Sequence, residues 1–158
     1  MKLVWFALLC LVALPAMAAV DWVKVDKSKR RMYLYEHGEL VREYRIALGK
    51  EPKGHKHQEG DQRTPEGLYY LDSISTQTQF YKAFHISYPN EQDIAYAKLH
   101  DLDPGGDVKV HGLKNGTTAR PEFIQSFDWT NGCIALTDQE MDEFISLVPV
   151  GTPISIEW

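Results

Sequence analysis

Two types of side chain in this sequence of 158 residues are suited to covalent acyl chemistry, a thiol and an imidazole. Cys133 lies between Gly132 and Ile134, and His111 stands 22 positions earlier, between Val110 and Gly112. Gly132 lets the chain turn tightly, and the successive N–H groups of such a turn can hold a developing oxyanion. A thiol near N–H groups and a basic partner has its pKa lowered toward the reactive thiolate, which is the expectation for Cys133. His111 ends the run Val108–His111, which reads as a short strand, and a strand end presents its side chain at a rim where loops gather. Spacing alone leaves three fates open for Cys133: an inert buried thiol, an intermolecular bridge or a nucleophile.

The N-terminal segment bears on that choice. Lys2 precedes an uncharged apolar run, Leu3–Val20, that contains Pro15 and then Ala16-Met17-Ala18. A charged start, a short apolar stretch and a small-residue cleavage site are the order of a secretory signal peptide, here residues 1–18. An uncleaved anchor is the rival, because Leu3–Val20 is 18 residues long, at the lower limit for spanning a membrane. Cleavage after Ala18 removes Cys10 and leaves Cys133 as the one cysteine of an exported, periplasmic chain, with no stable membrane insertion afterwards. In an oxidising compartment cysteines normally pair, so a lone one needs a reason.

Composition narrows the class. A net charge of −5, 25% charged and 44% hydrophobic residues suit one globular domain over residues 19–158. The evenly mixed charge lacks the basic stripe that nucleic-acid binding requires. Strands are expected at Trp22–Asp26, Arg31–Tyr35, Leu40–Leu48, Leu68–Ile74, Ala83–Tyr88, Val108–His111 and Val150–Trp158, with turn chemistry at Glu36-His37-Gly38-Glu39. Residues 49–67 read as a long polar loop. Glu91–Leu99 suits a short helix, and Thr137-Asp138-Gln139-Glu140 is a capping box opening a helix to about Leu147. Tyr33, Tyr35 and Tyr44 are expected on the sheet surface. The result is a mainly β domain with one or two short helices.

Val110-His111-Gly112 followed by Gly132-Cys133-Ile134 resembles the active-site signature of the L,D-transpeptidase catalytic domain family, the YkuD type. The resemblance extends to Gly60–Gly67, with its Thr64-Pro65-Glu66-Gly67, and to Ile86–Asn90, so it covers nearly all of Val23–Trp158. It implies a β-sandwich enzyme that attacks peptidoglycan stem peptides with a cysteine, forms a thioester and passes the acyl group to an amine or to water. Carried over, Cys133 is the nucleophile and His111 the proton donor and acceptor. The Gly112 carbonyl orients His111, and the amides near Asn131, Gly132 and Cys133 form the oxyanion hole. No cofactor and no metal are implied. The sequence also departs from the commoner pattern: Asn131 replaces a second His, and Ala135 stands where an Arg is usual. It is similar instead to a branch reading Asp-Trp-Thr-x-Gly-Cys-Ile-Ala, here Asp128–Ala135, whose members cut cell-wall attachments as well as make them. That adds a cell-wall-linked protein to the expected partners and hydrolase or amidase action to the expected reactions; a catalytically silent cell-wall-binding module is the alternative.

Arg63 and Arg120 are candidates to grip a substrate carboxylate bidentately, and Trp129 and Thr130 to line its site. His55 and His57 have a spacing suited to two metal ligands on a strand, without a third ligand cluster beside them.

Overall fold

The computed structural model describes residues 19–158, so the expected signal peptide and Cys10 lie outside the described residues. Strand alternation sets the architecture. In β1 (Trp22–Asp26) and β2 (Arg31–Glu36), Val23, Val25, Met32 and Leu34 point inward and are fully buried. The antiparallel partner β3 (Glu39–Arg45) follows through the two-residue turn His37-Gly38, both at positive φ, the geometry that matches the twist of paired strands. Further strands are β4 (Gly67–Ser75), β5 (Ala83–Ile86), β6 (Lys109–His111), β7 (Ile134–Ala135) and β8 (Thr152–Glu157). They form one mainly antiparallel sheet in the order β3-β2-β1-β8-β4-β5-β6-β7, with β1–β8 and β6–β7 parallel.

The sheet curls until its two ends meet. Beyond β3, Ala47 exchanges both backbone hydrogen bonds with Ala135 of β7, at 3.1 and 2.8 Å. The enclosed space is the core, completed by Met141 and Phe144 of a helix whose ring packs edge-on against Phe84 and Tyr44. That helix, Asp138–Leu147, opens with the expected capping box of Thr137 and Glu140. The helix Glu91–Leu99 has the expected bounds but no apolar stripe. Polar contacts hold it: the buried Asp93 carboxylate accepts from His55, Tyr69 and the Asn90 N–H. In chain order these helices are α1 (Glu91–Leu99), α2 (Pro121–Ile124) and α3 (Asp138–Leu147), one more than expected because the single turn α2 has no periodic pattern to read.

Three expectations are corrected. The third strand stops at Arg45, not Leu48, because Ile46 turns to donate to the Arg30 carbonyl and the Leu48 N–H is taken by the Asp128 carboxylate. Tyr44 is buried rather than on the surface: its register partner is Met32, so it shares the inward face. The last strand begins at Thr152, after Gly151 completes a turn at positive φ.

Residues 50–66 contain no strand or helix, yet they are fixed from beneath by one cation. Lys27, wholly buried, donates its three ammonium protons to the Gly54 carbonyl, the Thr64 carbonyl and the Glu66 carboxylate, at 2.8, 2.8 and 2.9 Å. Burial pushes its pKa down, and the Glu66 carboxylate opposes that shift. Removing one partner of a buried charge pair costs about 3–5 kcal/mol, because the other is left unpaired. Lys27→Met is therefore expected to destabilise the fold by at least about 3 kcal/mol in denaturant unfolding. A change under about 1 kcal/mol would mean that the loop is held by other contacts.

Candidate active site

His111 closes β6, and its neighbours fix which nitrogen carries the proton. Nδ1 lies 2.7 Å from the Gly112 carbonyl oxygen, which can only accept, so Nδ1 bears the hydrogen and Nε2 is left as a base. Gly112 has no room for a side chain: a Cβ there would come within 2.6 Å of Asp138 Oδ1 and 2.9 Å of Tyr81 Cβ. The imidazole is only 2% exposed, stacked on Phe80 at 4.4 Å between centroids and met by the edge of Trp129 at 5.6 Å.

Cys133 enters β7 from a turn that Thr130 closes. The buried Thr130 hydroxyl donates to the Cys133 carbonyl at 2.7 Å and accepts from the Gly132 N–H at 3.1 Å. Gly132 has φ +136°, and a Cβ there would sit 2.8 Å from the Arg63 carbonyl oxygen. Only glycine satisfies both conditions without displacing the loop behind it. The Gly132 N–H, one of the expected oxyanion donors, is engaged by the Thr130 hydroxyl in this geometry.

Cys133 and His111 line one cleft of about 350 Å³, together with Lys50, Phe80, Lys114, Trp129, Thr130 and Asn131. Cys133 also borders a second hollow with Lys56, Glu59, Gly106, Asp107 and Val108. The thiol points past the Asp107 carbonyl oxygen at 3.8 Å. Burial pushes the thiol pKa up, against the pull of the Lys109 N–H and ammonium. Burial likewise pushes the His111 pKa down; the Gly112 carbonyl opposes that shift and the Lys109 ammonium adds to it. The expectation of a lowered thiol pKa is therefore corrected: burial favours the neutral thiol and the neutral imidazole over their charged forms.

The other expected residues are divided. Trp129, Thr130 and Asn131 stand at the cleft, with the Asn131 amide oxygen accepting from Lys50 Nζ at 3.2 Å. Arg63 lines a different hollow, with Glu51, His57, Gln58 and Asp61, and Arg120 is an exposed residue at the start of α2. Neither arginine lines the thiol's clefts. Ala135 is wholly buried in β7, bonded to Ala47, so the position of the family's usual Arg is here a core position. His55 is consumed by structure, its Nδ1 accepting from the Glu66 N–H and its Nε2 facing Asp93. Among the described residues no three His, Cys, Asp or Glu side chains form a metal-binding group.

Sequence reasoning missed Phe80, Lys50, Lys114, Lys109 and Gln125. Gln125, buried, ties α2 to β7 through the Ala135 carbonyl at 2.8 Å, and accepts from Trp129 Nε1 at 3.4 Å. All five lie in loops, short turns or strand ends, where no periodic signal exists to find them.

The two shifts predict a pH profile. Activity in kcat/KM is expected to fall at acid pH with an apparent pKa below the ordinary histidine value, and at alkaline pH above the ordinary cysteine value. Lys109→Gln removes a cation that lowers both groups, so both limbs are expected to move to higher pH. Limbs that stay in place, or move apart, would mean that Lys109 does not act on the dyad.

Comparison with known proteins places this arrangement. The YkuD family, described as the L,D-transpeptidase catalytic domain, matches residues 20–156. The chain is 27% identical over 138 residues to the putative L,D-transpeptidase YafK of Escherichia coli K12, an alignment covering 84% of this chain and 48% of that protein. Among solved structures it is similar to the helical cell shape determining protein Pgp2 of Campylobacter jejuni, at 29% identity and TM-score 0.66, covering 89% of this chain and 48% of that one. An Enterococcus faecium L,D-transpeptidase shares the fold at 17% identity and TM-score 0.57, covering 87% of this chain and 50% of the other. The chain spans about half the length of these relatives. With a family match over almost every described residue and a thiol and imidazole meeting at one cleft, the chain belongs to the YkuD family of L,D-transpeptidase catalytic domains.

Proposed function

We propose that this chain is a cysteine acyl-transferase of the cell envelope that acts on peptidoglycan stem peptides. One observation carries the reading: Cys133, from the turn that enters β7, and His111, at the end of β6, line one cleft, with His111 locked so that Nε2 is the free base. A scaffold that only bound cell wall would need neither.

Sγ of Cys133 attacks the scissile carbonyl of the stem peptide as its proton passes to His111 Nε2, so a neutral pair becomes an anionic tetrahedral adduct beside an imidazolium. The oxyanion takes the Cys133 N–H, with Asn131 at the same turn. Collapse breaks the C–N bond, and His111 returns the proton to the leaving amine. The thioester then passes its acyl group to an amine, or to water, with His111 accepting the incoming nucleophile's proton. Nothing in the cleft beyond two exposed lysines replaces the usual Arg, so water competes with the amine, and release is expected beside cross-linking. Residues 1–18 as a signal peptide and the periplasm as the workplace belong to this reading. The similarity to Pgp2, a helical cell shape determining protein, supports a role in cell shape.

Two variants test it. Cys133→Ala is expected to abolish turnover of purified peptidoglycan fragments, and His111→Ala to cost at least about 10²-fold. Intact-mass analysis of the wild-type protein with substrate is expected to show a covalent acyl adduct that Cys133→Ala lacks. Turnover by Cys133→Ala near the wild-type rate would end the cysteine mechanism.

A further inference from the structure

The single turn α2 buries none of its own side chains, yet Gln125, the residue that ends it, is only 4% exposed. A buried amide costs free energy unless its donor and acceptor are both engaged. Here both are. Gln125 Nε2 donates to the Ala135 carbonyl at 2.8 Å, and Oε1 accepts from Trp129 Nε1 at 3.4 Å. A carbonyl can only accept and an indole N–H can only donate, so the partners fix which way the amide points. The Gln125 backbone is held in turn: its carbonyl accepts from Arg45 Nε at 3.1 Å and its N–H donates to the Pro121 carbonyl at 2.9 Å.

Both partners lead to the imidazole. Ala135 is the register partner of His111 in the β6–β7 pair, and its carbonyl also takes the Ala47 N–H, so it is satisfied without Gln125. Trp129 is not. Its backbone is pinned on both sides, by the Asp128 carboxylate on the Leu48 N–H and by the Thr130 N–H on the Leu48 carbonyl. Those contacts leave the indole free to rotate, and the bond from its Nε1–H to Gln125 opposes that rotation. The indole edge meets His111 at 5.6 Å between centroids, and Phe80 stacks on the same ring at 4.4 Å. Phe80 comes from residues 76–82, which belong to no strand or helix, so Trp129 is the braced wall around the imidazole.

We propose that Gln125 is a positioning residue for His111: by holding the Trp129 indole edge-on to the ring, it keeps the imidazole screened from water and turned toward the cleft. The inference rests on the proposed acyl transfer for its effect on rate, and on the geometry alone for its effect on the imidazole. An indole released from Gln125 admits water to His111, and water stabilises the imidazolium over the neutral ring. The ring also gains room to leave its hydrogen bond to the Gly112 carbonyl. The titratable and charged groups around it are Cys133 before β7, Lys109 of β6, and Asp107, Lys50 and Lys114 in the adjoining hollows. Asp138 of α3 and Tyr81 stand behind Gly112. A change at Gln125 alters none of these groups, so its effect on proton binding reports the brace.

Proton binding is read by NMR titration of the His111 ring in the Cys133→Ala protein, its signal assigned by its loss in His111→Gln. Gln125→Met keeps the length of the side chain and removes both hydrogen bonds. It is expected to raise the His111 pKa by about 0.5 or more, toward the ordinary histidine value. Trp129→Phe keeps a ring without the N–H and is expected to raise it too, and Gln125→Met is expected to add nothing on top of Trp129→Phe. With Cys133 intact, Gln125→Met is expected to lower kcat about threefold to tenfold and to leave KM within about twofold. A brace that served stability alone would lower the unfolding midpoint and leave the His111 titration in place, and that result would overturn the assignment. Additive shifts in the double variant would overturn it as well. Should Gln125→Met not fold, an unchanged titration in Trp129→Phe overturns it instead. Because the titration needs no turnover, it succeeds or fails separately from the cysteine mechanism, which the turnover assay of Cys133→Ala decides.

Discussion

The buried Lys27 ammonium is the contact on which the site's architecture turns. It sits at the end of β1 and binds acceptors 27, 37 and 39 residues further along the chain. An ammonium taken from water costs several kcal/mol, recovered only if its protons all find acceptors, and here they do. The consequence reaches Cys133 by contact. Lys27 holds the Thr64 backbone, and the Thr64 hydroxyl accepts from the Gly49 N–H at 3.1 Å. The adjoining Gln62 and Arg63 carbonyls then form the wall against which Gly49 and Gly132 pack without side chains. The turn that presents the thiol is pressed between this wall and the Thr130 hydroxyl.

Placement of the dyad follows from the closure of the sheet. His111 and Ala135 are register partners in β6 and β7, and Ala135 also pairs with Ala47 from beyond the far edge of the sheet. Asp128 fastens the same seam: it accepts from the Leu48 N–H and receives Arg30 at 2.7 Å, joining the β1–β2 turn to the Cys133 segment. The Asp-Trp-Thr-x-Gly-Cys-Ile-Ala stretch is thus a structural unit, with Asp128 as fastener, Trp129 against the imidazole, Thr130 as latch and Ala135 as seam.

Much of this was legible in the sequence where a local rule applied. Val23, Val25, Met32 and Leu34 alternate, so β1 and β2 could be read almost to the residue; the Thr137–Glu140 capping box announced α3 for the same reason. The candidate pair that the structure brings to one cleft was legible because a Cys after Gly and a His at a strand end are residue types that carry chemistry. What could not be read depends on contacts between distant segments. Lys27 follows a strand as an ordinary turn lysine would, and only acceptors dozens of residues away make it a core residue. The two-residue β7 is too short for any period and exists because β6 and Ala47 lie on either side of it. The choice of Arg63 and Arg120 as anion grips rested on residue type alone, and neither lines the cleft of Cys133 and His111.

The thiol's raised pKa resolves a tension in the proposed setting. In the proposed exported setting a cysteine kept as thiolate would be a standing target for oxidants, because susceptibility follows thiolate character and exposure. Burial here opposes both: it pushes the Cys133 thiol pKa up and leaves the residue half-covered, with Sγ beside the Asp107 carbonyl. The same burial pushes the His111 pKa down, which favours the neutral base. A substrate carbonyl arriving between Phe80, Trp129 and the nucleophile adds the missing element, an acceptor for the charge that thiol ionisation creates. Reactivity is then conditional on substrate, and one cysteine without a disulfide partner among the described residues can persist where a free thiolate would be spent.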